Sequence, residues 1–63
     1  MYISNLRKIR KTKNLTIKEL SEISGVSMGY ICHLEKGSRK NPSIYVMEKI
    51  AEALGEPIIK IFF

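Results

Sequence analysis

Residues 16–37 read TIKELSEISGVSMGYICHLEKG, and the fold turns on them. Thr16 and Glu19 have the T-x-x-E spacing of a capping box, in which the hydroxyl accepts from an early backbone N–H and the carboxylate reaches back to the cap. That spacing predicts a helix start at Thr16, with Leu15 and Leu20 placed to form a hydrophobic staple across it. Leu20 and Ile23 are expected to face inward. Ser24-Gly25 ends the helix, because Gly25 is free to take positive φ. Val26 follows as an apolar residue, and Ser27 is placed to cap a further helix whose apolar side is Tyr30, Ile31 and Leu34. Lys36-Gly37 closes that helix with a cation at its negative end and a breaker behind it. Two short helices joined by Ser24-Gly25-Val26 make a helix-turn-helix pattern, the unit that lays its second helix in a DNA major groove. The bare pattern also fits other small helical proteins.

On the N-terminal side, Ile3, Leu6, Ile9 and Arg10 share one helical face, while Arg7, Lys8 and Lys11 lie elsewhere and read as a solvated face. Asn14 follows the basic run Lys11-Thr12-Lys13 and suits the left-handed residue that closes a helix. On the C-terminal side, Gly37 to Pro42 reads as a polar, basic loop. A helix from a cap at Ser43 to Leu54-Gly55 carries the stripe Ile44, Met47, Ile50, Ala51 and Leu54. Pro57 suits the first position of a short last helix. Its apolar residues exceed one face: Ile58, Ile61 and Phe62 have core spacing, whereas Ile59 and Phe63 point elsewhere. The sequence thus predicts five short helices and no sheet, in one domain spanning residues 1–63.

Composition narrows the chemistry. Eleven Lys and Arg against six acidic residues give a formal charge of +5, which suits nucleic acid or an anionic membrane surface but is also ordinary for a soluble domain. The chain has no aspartate, one cysteine (Cys32) and one histidine (His33). A single thiol forms no internal disulfide, and the two residues fall short of the four ligands of a structural zinc site. Being adjacent on a helix, they diverge by about 100° and make a poor nucleophile–base pair. No catalytic residue, metal or cofactor is expected. No apolar run approaches the ~18 residues of a membrane span.

The stretch Leu15 to Gly37 resembles the lambda-repressor-like domain of the Cro/repressor (Xre) family, and NPSIYVMEKIAEAL (residues 41–54) resembles that family's fourth helix, with particular likeness to SinR-type regulators. The likeness runs from Leu6 to Phe62 and rests on Arg10, Leu20, Gly25-Val26-Ser27, Ile31, Glu35, Gly37, Pro42 and Leu54 together. It implies an all-α, compact five-helix fold whose recognition helix covers about residues 27–36. It also implies that Ser27, Met28, Gly29, Cys32 and His33 face bases in the major groove. By the same likeness Thr16, Lys18, Tyr30, Arg39, Lys40, Asn41 and Ser43 meet phosphates, and Arg10 and Glu35 form a structural ion pair. Three positions depart from the family. Ile17 replaces a common phosphate-binding glutamine and is assigned to packing. Ser21 stands where alanine is usual, and Glu56 where an apolar residue is common.

Each role has a plainer competitor. Met28 offers a base only apolar contact, such as to a thymine methyl. Gly29 costs ~1 kcal/mol of helix stability relative to alanine, so it either admits close approach to DNA or is merely tolerated. His33 and Tyr30 are also ordinary surface and core-edge residues, and Cys32 is a small helix residue whose redox use has little support. Arg39 and Lys40, in a loop beside the recognition helix, favour phosphate over mere solubility. Ile59 and Phe63, exposed in a monomer, predict a two-fold homodimer. The expectation is a cytoplasmic, nucleoid-associated regulator of bacterial or phage type that binds double-stranded DNA as a dimer, a repressor on a palindromic operator. The alternative is an interaction module, such as an antitoxin or repressor partner, docking through the apolar tail. A membrane-surface peptide fits less well, since the tail carries only Lys60 as a cation.

Overall fold

Local turn chemistry sets the architecture. The computed structural model describes residues 5–37 and 42–63, which form α1 (Leu6–Thr12), α2 (Ile17–Ser24), α3 (Met28–Lys36), α4 (Ile44–Leu54) and α5 (Ile58–Phe62), with no strand among the described residues. Beyond the end of α1, Asn14 takes φ 58°, as its short amide side chain permits. The capping box of α2 is complete: Thr16 Oγ1 accepts from the Glu19 N–H at 3.0 Å, and Glu19 Oε1 accepts from the Thr16 N–H at 2.8 Å. Ser27 caps α3 and Ser43 caps α4, each hydroxyl accepting the third N–H of its helix at 3.2 Å. Gly25 and Gly37 close α2 and α3 at φ 79° and 78°. Pro57, expected at the first helical position, instead stands one residue earlier as the cap of α5.

The core is Leu6 and Ile9 of α1, Leu20 of α2, Val26 of the turn, Ile31 and Leu34 of α3, Met47, Ile50, Ala51 and Leu54 of α4, and Ile61 and Phe62 of α5. Leu15, Ile17, Tyr30, Val46 and Ile58 pack against its edge. α4 rests on α2 and α5, α2 also on α3, and α1 on α3 and α5. Two inward expectations are corrected. Ile23 is 58% exposed, because α2 turns its Leu20–Ser24 side to the core and buries Ser24 instead. A buried serine is cheap here, since its Oγ accepts the Val26 N–H at 3.1 Å and stiffens the turn. Ile44 is 63% exposed. It is the first residue of α4, a full turn before Met47, and overhangs the core, while Val46 packs against it.

The first and last described helices are tied together. The Asn5 backbone N–H donates to the Ile61 carbonyl at 2.7 Å, and its side-chain amide donates to the Lys60 carbonyl at 3.2 Å. Glu56, half-buried before α5, bridges Lys13 at 2.9 Å and Lys60 at 3.1 Å. These contacts explain an acid where an apolar residue is common: two cations from separate elements converge on it. Hydrogen bonds from Lys13 and then Lys60 hold the Glu56 carboxyl below the usual carboxylate range. No described helix is long and apolar enough to cross a membrane.

Candidate nucleic-acid interface

α3 buries Ile31 and Leu34 and, by its 100° step per residue, turns the opposite arc outward. That arc carries Met28, Gly29, Cys32, His33 and Lys36, with Ser27 at its head. Ser27, Gly29 and His33 are exposed, Met28 is 48% exposed, and Cys32 is half-buried. The arc combines an apolar tip, an imidazole that donates or accepts, and a hydroxyl. A Cβ built on Gly29 meets nothing within 4 Å, so packing within the chain does not demand glycine there. Tyr30 sits half-buried at the edge of the core.

α3 is held by an ion pair that is almost entirely buried. The Arg10 Nε donates to Glu35 Oε2 at 2.6 Å and its Nη2 to Oε1 at 3.1 Å, while Nη1 donates to the Leu15 carbonyl at 2.7 Å. The side chains keep only 9% and 6% of their surface. One guanidinium therefore fixes α1, the corner before α2, and α3 with a planar fork that lysine cannot imitate. The bond to Glu35 raises the Arg10 pKa above its ordinary value, against the opposing effect of desolvation.

Beside this pair lies a cleft of about 310 Å³ lined by Arg7, Arg10, Ile17, Cys32, Glu35 and Lys36. It draws Cys32 toward α1 at the flank of the outward arc. Of the residues assigned to phosphate, Thr16, Lys18 and Ser43 are exposed at the starts of α2 and α4. The Thr16 and Ser43 oxygens accept cap bonds, which leaves each hydroxyl proton able to donate outward. Arg39, Lys40 and Asn41 lie outside the described residues. Ile59 on α5 and Phe63, the residue that ends it, are 69% and 82% exposed.

A short capped helix, a glycine turn and a second helix with an outward polar arc match a known family: its model, described as helix-turn-helix, covers residues 6–61. The chain belongs to the helix-turn-helix family. Among curated helix-turn-helix relatives it is 40% identical over 52 residues to the uncharacterized HTH-type transcriptional regulator y4dJ of Sinorhizobium fredii, covering 82% of this chain and 66% of that one. It is 35% identical over 49 residues to the HTH-type transcriptional regulator SinR of Bacillus subtilis, covering 78% and 44%. The chain thus spans just under two thirds of the first relative and less than half of the second. Among solved structures, the restriction-modification controller protein C.AhdI from Aeromonas hydrophila superposes with a TM-score of 0.85 at 33% identity, covering 92% of this chain and 86% of that one. The expected family and the five-helix fold are both met.

Sequence reasoning missed the cleft and the Glu56 bridges. The first had a signal: Arg7 precedes Arg10 by three residues, which puts the two on neighbouring positions of α1. The second had none, because Lys13 and Glu56 come together only through the tertiary fold.

Proposed function

We propose that this chain binds double-stranded DNA sequence-specifically as a transcription regulator, with α3 in the major groove. The observation that supports this best is the outward arc of α3, presented by a helix whose orientation is fixed through Arg10 and Glu35. Nine residues make α3 ~13 Å long, and the major groove is ~12 Å wide and admits a helix. In this reading Ser27, Met28, Gly29, Cys32 and His33 approach base edges. Thr16, Lys18, Tyr30 and Ser43, with Arg39, Lys40 and Asn41, meet phosphates. Few of the base-facing groups are strong hydrogen-bond donors or acceptors, so affinity leans on phosphate contacts, and sequence choice on shape and a few contacts such as His33.

Ile59 and Phe63 favour a two-fold homodimer through α5, binding half-sites one helical turn apart, ~34–36 Å. Regulation is then repression, by occupying a palindromic operator. Selection of bound duplexes from a random DNA pool tests the reading as a whole. It should return a half-site, its symmetry and its spacing, and a pool that shows no enrichment refutes sequence-specific binding. Sedimentation showing only monomer well above micromolar concentration refutes the dimer.

The same exposed pair supports a second reading, a module that docks another protein through α5 in the manner of an antitoxin or a repressor partner. Capture of a defined partner by a chain that shows no duplex preference would decide for it.

A further inference from the structure

We propose that Glu56 is a positioning residue for DNA recognition: it ties α1 to the start of α5, holds α3 in place relative to the dimer face, and so restricts the half-site spacing that the dimer accepts. The inference rests on the DNA-binding and α5-dimer readings and goes beyond them. α1 stands between the two surfaces, resting on α3 and on α5. Toward α3 it is locked by Arg10, whose fork grips Glu35. Toward α5 it is tied at both ends. Asn5, at its N-terminal cap position, donates to the Lys60 and Ile61 carbonyls. Lys13, at its C-terminal cap position, pairs with Glu56 at 2.9 Å. Eight steps of about 1.5 Å put these two ties ~12 Å apart.

Two ties so far apart fix a direction, whereas one leaves a pivot. Burial of Ile61 and Phe62 holds α5 to the core, but apolar contact is non-directional and does not by itself set an angle. The Glu56 carboxylate is itself aimed by Lys60, which pairs with it at 3.1 Å. Without Glu56, α1 is hinged on Asn5, and Arg10 carries any tilt into α3. The lever is long: half-sites one helical turn apart put each recognition helix ~17 Å from the dyad. A tilt of about 10° over that distance moves the helix ~3 Å, close to the ~3.4 Å rise of one base pair.

The test uses the full chain and duplexes that carry the half-site from the random-pool selection at its selected spacing and at one base pair more or fewer, read by fluorescence anisotropy. The quantity is the ratio of affinities between spacings, in which a uniform loss from lower stability or lost charge cancels. Wild type should reject altered spacing at least as strongly as a mismatched base pair, about fivefold or more. Glu56→Gln and Lys13→Met should each shrink that ratio by about two- to fivefold, the hold of an ion pair of this exposure. Lys60→Met keeps the bond from α1 to Glu56 and should leave the ratio near wild type. Ratios unchanged in Glu56→Gln and Lys13→Met overturn the assignment, as does an equal fall in Lys60→Met or a wild type indifferent to spacing. A wild-type chain that binds no duplex instead removes the DNA-binding reading, and sedimentation showing only monomer well above micromolar concentration removes the dimer. Either result takes this inference with it, and both are distinct from a spacing-selective dimer that the variants leave unaltered. Lys13 and Lys60 are exposed and Glu56 half-buried, and matching helical circular dichroism checks that the fold is kept.

Discussion

Replacing Arg10 by methionine would remove the charge that answers Glu35 while keeping much of the side-chain volume. Glu35 retains 6% of its side-chain surface, so its carboxylate would lose two charged donors without gaining water. Stranding one member of a buried pair costs ~3–5 kcal/mol. The Leu15 carbonyl, bonded by the same guanidinium at 2.7 Å, loses its side-chain donor for roughly 1 kcal/mol more. A 63-residue chain at roughly 0.05–0.15 kcal/mol per residue has about 3–9 kcal/mol in all. Arg10→Met should therefore stand at the edge of unfolding at room temperature. Glu35→Leu alone should also be costly, because it strands the guanidinium. The double variant, with both charges gone, should recover to within ~1–2 kcal/mol of wild type. Urea unfolding followed by far-ultraviolet circular dichroism gives all three values, with an unchanged m value confirming that the transitions compare. A single-variant cost below ~1 kcal/mol, or costs that simply add in the double, would refute a buried brace.

Gly29→Ala should stabilise the fold by up to ~1 kcal/mol, because a Cβ there enters open space; thermal unfolding reads this. The same variant decides whether glycine serves DNA: weaker binding in a more stable protein points to close backbone approach. Thr16→Ala deletes one half of the capping box and should cost ~1 kcal/mol in the same unfolding assay. Glu56 has a native pKa lowered by Lys13 and Lys60. Its stabilising contribution is therefore complete above its unfolded value, ~4.3, and is lost as pH falls through the lower native value. Glu56→Gln should lower stability at neutral pH and converge with wild type as pH falls through the native value, flattening the acid limb, and an identical limb in the variant would refute the linkage. Phe63→Ser should shift a sedimenting dimer toward monomer without lowering monomer stability, since the ring is 82% exposed.

Much of this fold is legible because its decisive signals are local. Thr16, Glu19, Gly25, Ser27, Gly37 and Ser43 act within four residues of themselves, and both ends of α2 and α3 and the start of α4 follow from them. The family likeness adds the Arg10–Glu35 assignment, which periodicity alone does not reveal across a separation of 25 residues. What failed was the choice between neighbours on a face. Ile23 and Ser24 both lie beside Leu20, and hydrophobicity alone favours Ile23. The register with α3 and α4 favours Ser24, whose hydroxyl is satisfied inside the turn. Ile44 fails for another reason, since spacing along a helix does not show where the core ends. At the interface, sequence locates the outward arc but not the clefts beside it, which need three helices in place.

α1 rests on α3 and α5, and its approach is closed by the Asn5–Ile61 bond. These partners are distant along the chain, whereas α2 and α3 meet across a three-residue turn. Loop-closure entropy therefore favours pairing of α2 with α3 ahead of the contacts that α1 makes with α3 and α5. Until α1 docks, Glu35 has no Arg10, so on this order α3 pairs with α2 before its own orientation is locked.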